Sequence, residues 1–187
     1  MGDADLIARQ ASLQAEAAAV LGTLGPLFEG LGPPMPTGSF VSGLMVWRDL
    51  DLMVLGGPDF GPAQVLALIG RALDMPGLSG FDYADERSFA VRDQRHHLAL
   101  RLGAWRIDLS VWLNHDHAQA TEFHERLRDT LTPEQRLIIL RIKDAWHRRP
   151  EYPDEVSGFE VYTAVLDHGV RTPAEFGTWL ADRISRS

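Results

Sequence analysis

The stretch RDLDLMVL, residues 48–55, alternates charge with large aliphatic side chains and then runs on as an apolar tract. Successive side chains of a strand point to opposite faces, so Asp49 and Asp51 share one face and Leu50 and Leu52 the other. Such a strand needs a sheet with one face in a core and the other able to hold two carboxylates side by side. Large apolar residues extend the pattern back to Met45, and Gly56-Gly57-Pro58 ends it, which predicts a strand over 45–55. In WRIDLSVW, residues 105–112, the same rule puts Arg106, Asp108 and Ser110 on one face and Ile107, Leu109 and Val111 on the other. If the two strands are neighbours, Asp108 joins the acidic pair.

Around these strands the chain alternates helical and extended patterns. Leu6, Leu13, Ala17 and Val20 recur at helical spacing and predict an amphipathic helix over 4–21, stopped at Gly22. The Gly- and Pro-rich stretch GPLFEGLGPPMPTGS reads as irregular, with room for a short strand. Pro62 opens a predicted helix over 62–74 with Val65, Leu68, Ile69 and Leu73 on its apolar face. A Gly-rich turn follows, then RSFAV (87–91) as a strand, then a hairpin over 96–113 with Gly103-Ala104 at its tip. From about Asn114 the pattern is helical. Three starts read as capping boxes, Thr132 with Gln135, Ser157 with Glu160 and Thr172 with Glu175, and Gly169 reads as a C-cap. The expected architecture is α/β (α+β): a core over 1–115 built on a mixed sheet with flanking helices, and a helical region over 116–187 packed on it.

Three facing carboxylates repel one another unless a positive charge neutralises them. With no cysteine in the 187 residues, any metal must be held by carboxylates, carbonyls or histidines, which favours a hard cation. Magnesium takes octahedral oxygen ligands from one or two carboxylates and leaves positions for substrate phosphates. Two such ions suit an in-line displacement at phosphorus. Gly38-Ser39, just ahead of the acidic strand, supplies a close backbone approach and hydroxyl and N–H donors for phosphate oxygens.

The run GSFVSGLMVWRDLDLMV resembles the signature of the nucleotidyltransferase superfamily, the polymerase β-like fold: Gly-Ser, a spacer (here Phe40 to Arg48), then Asp-hydrophobic-Asp-hydrophobic. Ile107-Asp108-Leu109 looks like the family's third carboxylate on a later strand. The resemblance covers about residues 36–113 and departs at Thr37, where the family usually has a hydrophobic residue. It implies metal binding by Asp49, Asp51 and Asp108, with Asp108 alternatively accepting the proton of the attacking hydroxyl. It also implies nucleotide phosphates held by Gly38 and Ser39. The small size and helical tail are similar to antibiotic-modifying and minimal, toxin-associated members. The expected activity is transfer of a nucleoside monophosphate from a magnesium-bound nucleoside triphosphate (NTP) such as ATP to an acceptor hydroxyl, with release of pyrophosphate. The alternative is a noncatalytic nucleotide-binding or partner-regulating module of the same fold.

Other residues extend this picture. Lys143, the single lysine, lies on a predicted helix with Arg136 and His147 on its face and Arg141 and Arg148 beside it, so it is a candidate phosphate ligand. Trp47 and Trp105 are candidates to stack on a base as well as to pack. The segment 158–180 reads as core packing with a second role as a wall of the cleft. His115, His117 and His124 match no strong zinc spacing. The net charge of −8 argues against a nucleic-acid partner and favours a small-molecule acceptor, such as an aminoglycoside, or a protein hydroxyl. The absence of an apolar span or signal core predicts a cytoplasmic protein with no membrane contact.

Overall fold

The computed structural model describes residues 2–88, 94–113, 118–153 and 155–185, with the backbone alone at 118–120. It opens with the helix that the apolar spacing predicts, α1 (Asp3–Thr23), which buries Leu6, Leu13 and Ala17. A short 3-10 turn over Gly25–Phe28 leads to β1 (Met35–Pro36), the strand for which the Gly- and Pro-rich stretch had room. The helix α2 (Gly38–Ser42) follows, then β2 (Asp49–Leu55) and α3 (Pro62–Leu73). Three further strands, β3 (Leu78–Asp85), β4 (Arg95–Leu102) and β5 (Trp105–Trp112), complete one sheet. The remainder is helical: α4 (Ala118–Thr130), α5 (Pro133–Trp146), α6 (Gly158–His168) and α7 (Pro173–Ile184).

The sheet is mixed, with order β1-β2-β5-β4-β3. Strands β2 and β5 run parallel with Asp51 opposite Asp108, and the other pairs are antiparallel. Leu50, Leu52 and Val54 point with Ile107, Leu109 and Val111 into a core closed by α1, the 3-10 turn and α3. A second apolar cluster joins α4 to α7 and takes in Leu6, Leu44 and Val46 from the first part of the chain. Exclusion of these side chains from water drives both clusters together.

Several expectations shift. The strand predicted over 45–55 begins only at Asp49. The alternation before it is real, but Met45 enters the first core while Leu44 and Val46 enter the second, so the segment bridges two interiors instead of pairing. The region read as a Gly-rich turn contains β3, an edge strand whose many solvent-facing residues (Ser79, Asp82, Tyr83 and Ala84 among them) hid its pattern. Most of RSFAV lies outside the described residues. On α3, Ala72 is buried where Leu73 had been expected, and Leu73 is exposed.

The boxes at Thr132 and Ser157 close on both sides, whereas Thr172 receives the Glu175 N–H and the Glu175 carboxylate accepts from the Arg171 N–H. Gly169 caps α6 at φ 68°. Among the described residues no helix is long and apolar enough to cross a membrane.

Candidate active site

Asp49 and Asp51 leave β2 on the face away from the first core, and the parallel register with β5 sets Asp108 beside them. One carboxylate oxygen from each of the three lies within 4.8 Å of the others. Leu50 between the acids and Leu52 after them are buried and anchor the strand in the core. The triad lines a cleft of about 620 Å³ that also receives Gly38, Ser39, His124, Lys143 and Tyr162.

Gly38 sits against the triad so closely that a Cβ there would lie 1.9 Å from the Asp51 Oδ2, and its φ of +62° independently favours glycine. The Thr37 N–H donates to the Asp51 carbonyl at 3.0 Å, which extends the β1 edge up to the turn. The backbone of Thr37 thus does what any residue there could do, and nothing in the structure explains its hydroxyl, which is buried without a hydrogen-bond partner. The short helix α2 that starts at this turn is held at its far end, where the Arg136 guanidinium donates to the carbonyls of Ser42 (3.0 Å) and Gly43 (2.9 Å).

The three acids are not equivalent. Burial, then the charges of Asp51 and Asp108, drives the Asp49 carboxyl well above the usual carboxylate range. Burial and the Asp108 charge raise Asp51 to about 6. Burial would raise Asp108 too, but His97 at 3.6 Å and the Arg106 guanidinium, whose Nε donates at 2.9 Å, outweigh it and hold this carboxyl below its ordinary value. Arg106 and Lys143 oppose these rises without offsetting burial and mutual repulsion, and Asp49 Oδ1 is a buried acceptor with no hydrogen-bond partner. Oxygen-rich, under-neutralised and crowded, the triad fits the donor set of a magnesium-like ion.

Lys143 reaches the same cleft from α5. It is 2% exposed, and its Nζ donates to the Leu44 carbonyl at 2.8 Å and to the Tyr162 hydroxyl at 3.4 Å. Burial disfavours its charge, but Tyr152, Tyr162 and Asp49 prevail and keep the ammonium protonated. Its supposed basic companions serve elsewhere: Arg136 holds the far end of α2, Arg141 pairs with Asp3, and Arg148 and His147 face Asp144. Of the three histidines, His115 and His117 lie outside the described residues. His124 lines the cleft, held down to about 4 by burial and by Lys143, with Nδ1 buried and lacking a partner.

Trp47 and Trp105 do not line the cleft of the triad but an adjacent cavity. Phe159 and Tyr162 of α6 do line it, as expected of a wall. Arg106, His97 and Tyr152 were not singled out from sequence. For Arg106 the signal was available, since it shares a strand face with Asp108 two residues away, whereas His97 and Tyr152 come from elements whose approach no local pattern announces.

No protein-family model matches the chain, and no curated protein matches it. Solved structures do. The chain is similar to the Cid1 poly(U) polymerase bound to MgATP, with TM-score 0.59 and 18% identity over 85% of this chain and 51% of that one. It is similar to a cytoplasmic RNA terminal U-transferase, with TM-score 0.55 and 19% identity over 83% and 47%. A third is mtPAP in complex with CTP, with TM-score 0.55 and 18% identity over 88% and 40%. The chain therefore spans about half the length of these neighbours or less. The fold is the one that these solved polymerases and transferases share. The likeness to an RNA terminal U-transferase does not support the expectation against a nucleic-acid acceptor.

Proposed function

We infer that the chain is a metal-dependent nucleotidyltransferase, moving a nucleoside monophosphate from an NTP to an acceptor hydroxyl. The observation that carries this reading is the Asp51–Asp108 register, which sets three carboxylates against the Gly38 turn in one cleft. The division into a core over 1–115 and a helical region over 116–187 belongs to the same reading, with Lys143 brought by the second part to a site on the first.

Asp49, Asp51 and Asp108 would hold one or two magnesium ions. When bound, such ions neutralise the triphosphate and acidify the attacking hydroxyl. The backbone N–H groups and hydroxyl at Gly38 and Ser39 orient the phosphates, and the Lys143 ammonium draws negative charge toward the helical wall. Arg106 and His97 keep Asp108 ionised, as a ligand or a proton acceptor. The acceptor oxygen bonds to the α-phosphorus, the bond from that phosphorus to the bridging oxygen breaks, and pyrophosphate leaves with the electron pair.

The test is thermal stabilisation by ATP, GTP, CTP and UTP, each with and without magnesium, followed by pyrophosphate release with candidate acceptors. Stabilisation that requires magnesium, and release that disappears in Asp49→Asn and Asp51→Asn, is the expected result. Metal-dependent binding with no release under any acceptor would identify a noncatalytic binding module instead.

A further inference from the structure

Buried polar atoms without a partner single out one more residue of the cleft. His124, on α4, has its Nδ1 buried with no hydrogen-bond partner, and among the described residues none is bonded to its Nε2 either. A histidine held only for packing normally has at least one ring nitrogen bonded. The ring meets Phe123 (centroids 5.1 Å apart) and Tyr162 (6.2 Å) edge-on, and it lines the same cleft as the triad. The two-fold freedom of an imidazole about its outer torsion lets either nitrogen turn to that cleft.

His124 stands at the phosphate end. Helix α4 packs along α2, the helix that begins with Gly38 and Ser39, and the Lys143 ammonium is the charge that faces His124 from α5. Tyr162 of α6 is the titratable group beside the ring, Tyr152 lines the cleft next to Lys143, and α2 brings the hydroxyls of Ser39 and Ser42 but no charge. On α4 itself Glu125 and Arg128 are exposed, and Arg128 is paired with Asp129.

Burial and Lys143 hold the ring down to about 4, so it is neutral at pH 7 in the protein alone. An imidazolium there would set a second cation beside the ammonium and leave an N–H unmet. A polyphosphate brings both missing elements, negative charge and acceptor oxygens. Lys143 is unsuited to give up a proton, because its bonds to Leu44 and Tyr162 and the groups around it keep the ammonium protonated. A proton donor has to release its proton near neutral pH, and an imidazole raised by a neighbouring anion does so.

We propose that His124 is a further catalytic residue, which takes up a proton when the polyphosphate of the nucleotide enters the cleft and gives that proton to the departing pyrophosphate. The proposal rests on the nucleotidyltransferase reading for the transfer but not for the proton uptake. As the bond between the α-phosphorus and the bridging oxygen breaks, the electron pair goes to that oxygen. The imidazolium N–H proton passes to a pyrophosphate oxygen, the ring returns to its neutral form, and Lys143 keeps its own proton.

The first measurement needs no turnover. Nitrogen-15 NMR of the imidazoles follows a pH titration of wild type, alone and with magnesium pyrophosphate. His124→Gln and His124→Asn identify the resonance, so the assignment does not hang on one variant folding. The His124 midpoint is expected to rise from about 4 to roughly 6 or above when pyrophosphate is bound. The second measurement takes kcat and KM from release of the leaving group, with an acceptor that supports the reaction. It compares the NTP that stabilises best with its β,γ-difluoromethylene analogue, whose leaving group is a weaker base, and its β,γ-methylene analogue, whose leaving group is a stronger one. His124→Gln should lower kcat for the NTP about 10²-fold or more with KM changed only a few-fold, and should lose least with the difluoromethylene and most with the methylene compound. Failure of pyrophosphate to bind, binding with no movement of the His124 midpoint, or a kcat loss equal for all three leaving groups overturns the proposal. Absence of release with every acceptor overturns the transfer step together with the catalytic reading, and the NMR titration still decides the proton uptake.

Discussion

The sheet wall of the cleft carries three carboxylates, two of them short of positive charge, while the helical wall carries one buried ammonium fully engaged with Leu44 and Tyr162. The sheet wall holds charge left uncompensated, whereas the one ammonium on the helical wall is bonded, although His124 Nδ1 beside it lacks a hydrogen-bond partner. A protein selected only for stability would not keep Asp49 and Asp51 buried together, because isosteric amides remove the repulsion at no cost in volume. On the proposed reading, a cation would sit at the sheet wall and Lys143 on the helical wall would be a preset charge for the substrate.

Breaking the sheet wall should have the largest effect. Asp49→Asn or Asp51→Asn is expected to lower turnover by roughly 10³-fold or more while raising the melting temperature of the metal-free protein by roughly 2–5 °C. Pyrophosphate release and calorimetry on the same samples check both halves, and parallel losses of activity and stability would contradict the contrast. Gly38→Ala comes next. Positive φ and the collision with Asp51 should cost about 1–3 kcal/mol by denaturant unfolding and remove most NTP-dependent stabilisation.

On the helical wall, Lys143→Met keeps the volume but strands the Leu44 carbonyl. NTP affinity should drop about tenfold or more by titration calorimetry, with a fall in stability of about 1–3 kcal/mol. The pH response separates the walls further. The Asp51 carboxyl rises on folding from 3.8 to about 6, so its contribution to stability is fully present below pH 3.8 and lost as pH climbs through 6. The metal-free protein should thus gain stability relative to Asp51→Asn as pH is lowered from 7 toward 4. Magnesium should stabilise wild type at pH 7–8 and progressively less below pH 6, because it competes with protons. A magnesium shift of equal size at pH 5 and pH 8 would count against the triad as its site. The smallest effect is expected from Arg136→Gln, which loosens the far end of α2: a several-fold rise in the KM for NTP with little change in kcat.

The acidic pair, its third member and the Gly-Ser turn were legible because each depends on local alternation or a short motif, and alternation fixes which face a strand side chain takes. The helix starts at Thr132 and Ser157 were legible for the same local reason. Edge strand β3 was not, since an edge exposed to water needs no apolar period and Asp82 there pairs with Arg101 of β4. Nor was the start of β2, because Leu44, Met45 and Val46 alternate between two cores that no single strand pattern represents.

The sequence by itself determined that Asp49 and Asp51 face the same way on an anchored strand, because backbone geometry allows no other arrangement. Only the tertiary structure decided that β5 lies parallel to β2 with Asp108 opposite Asp51, and that α5 delivers Lys143 to the same cleft while Arg136 holds the far end of α2 instead. Register and long-range approach are set by how two apolar clusters close, and that is a property of the whole chain.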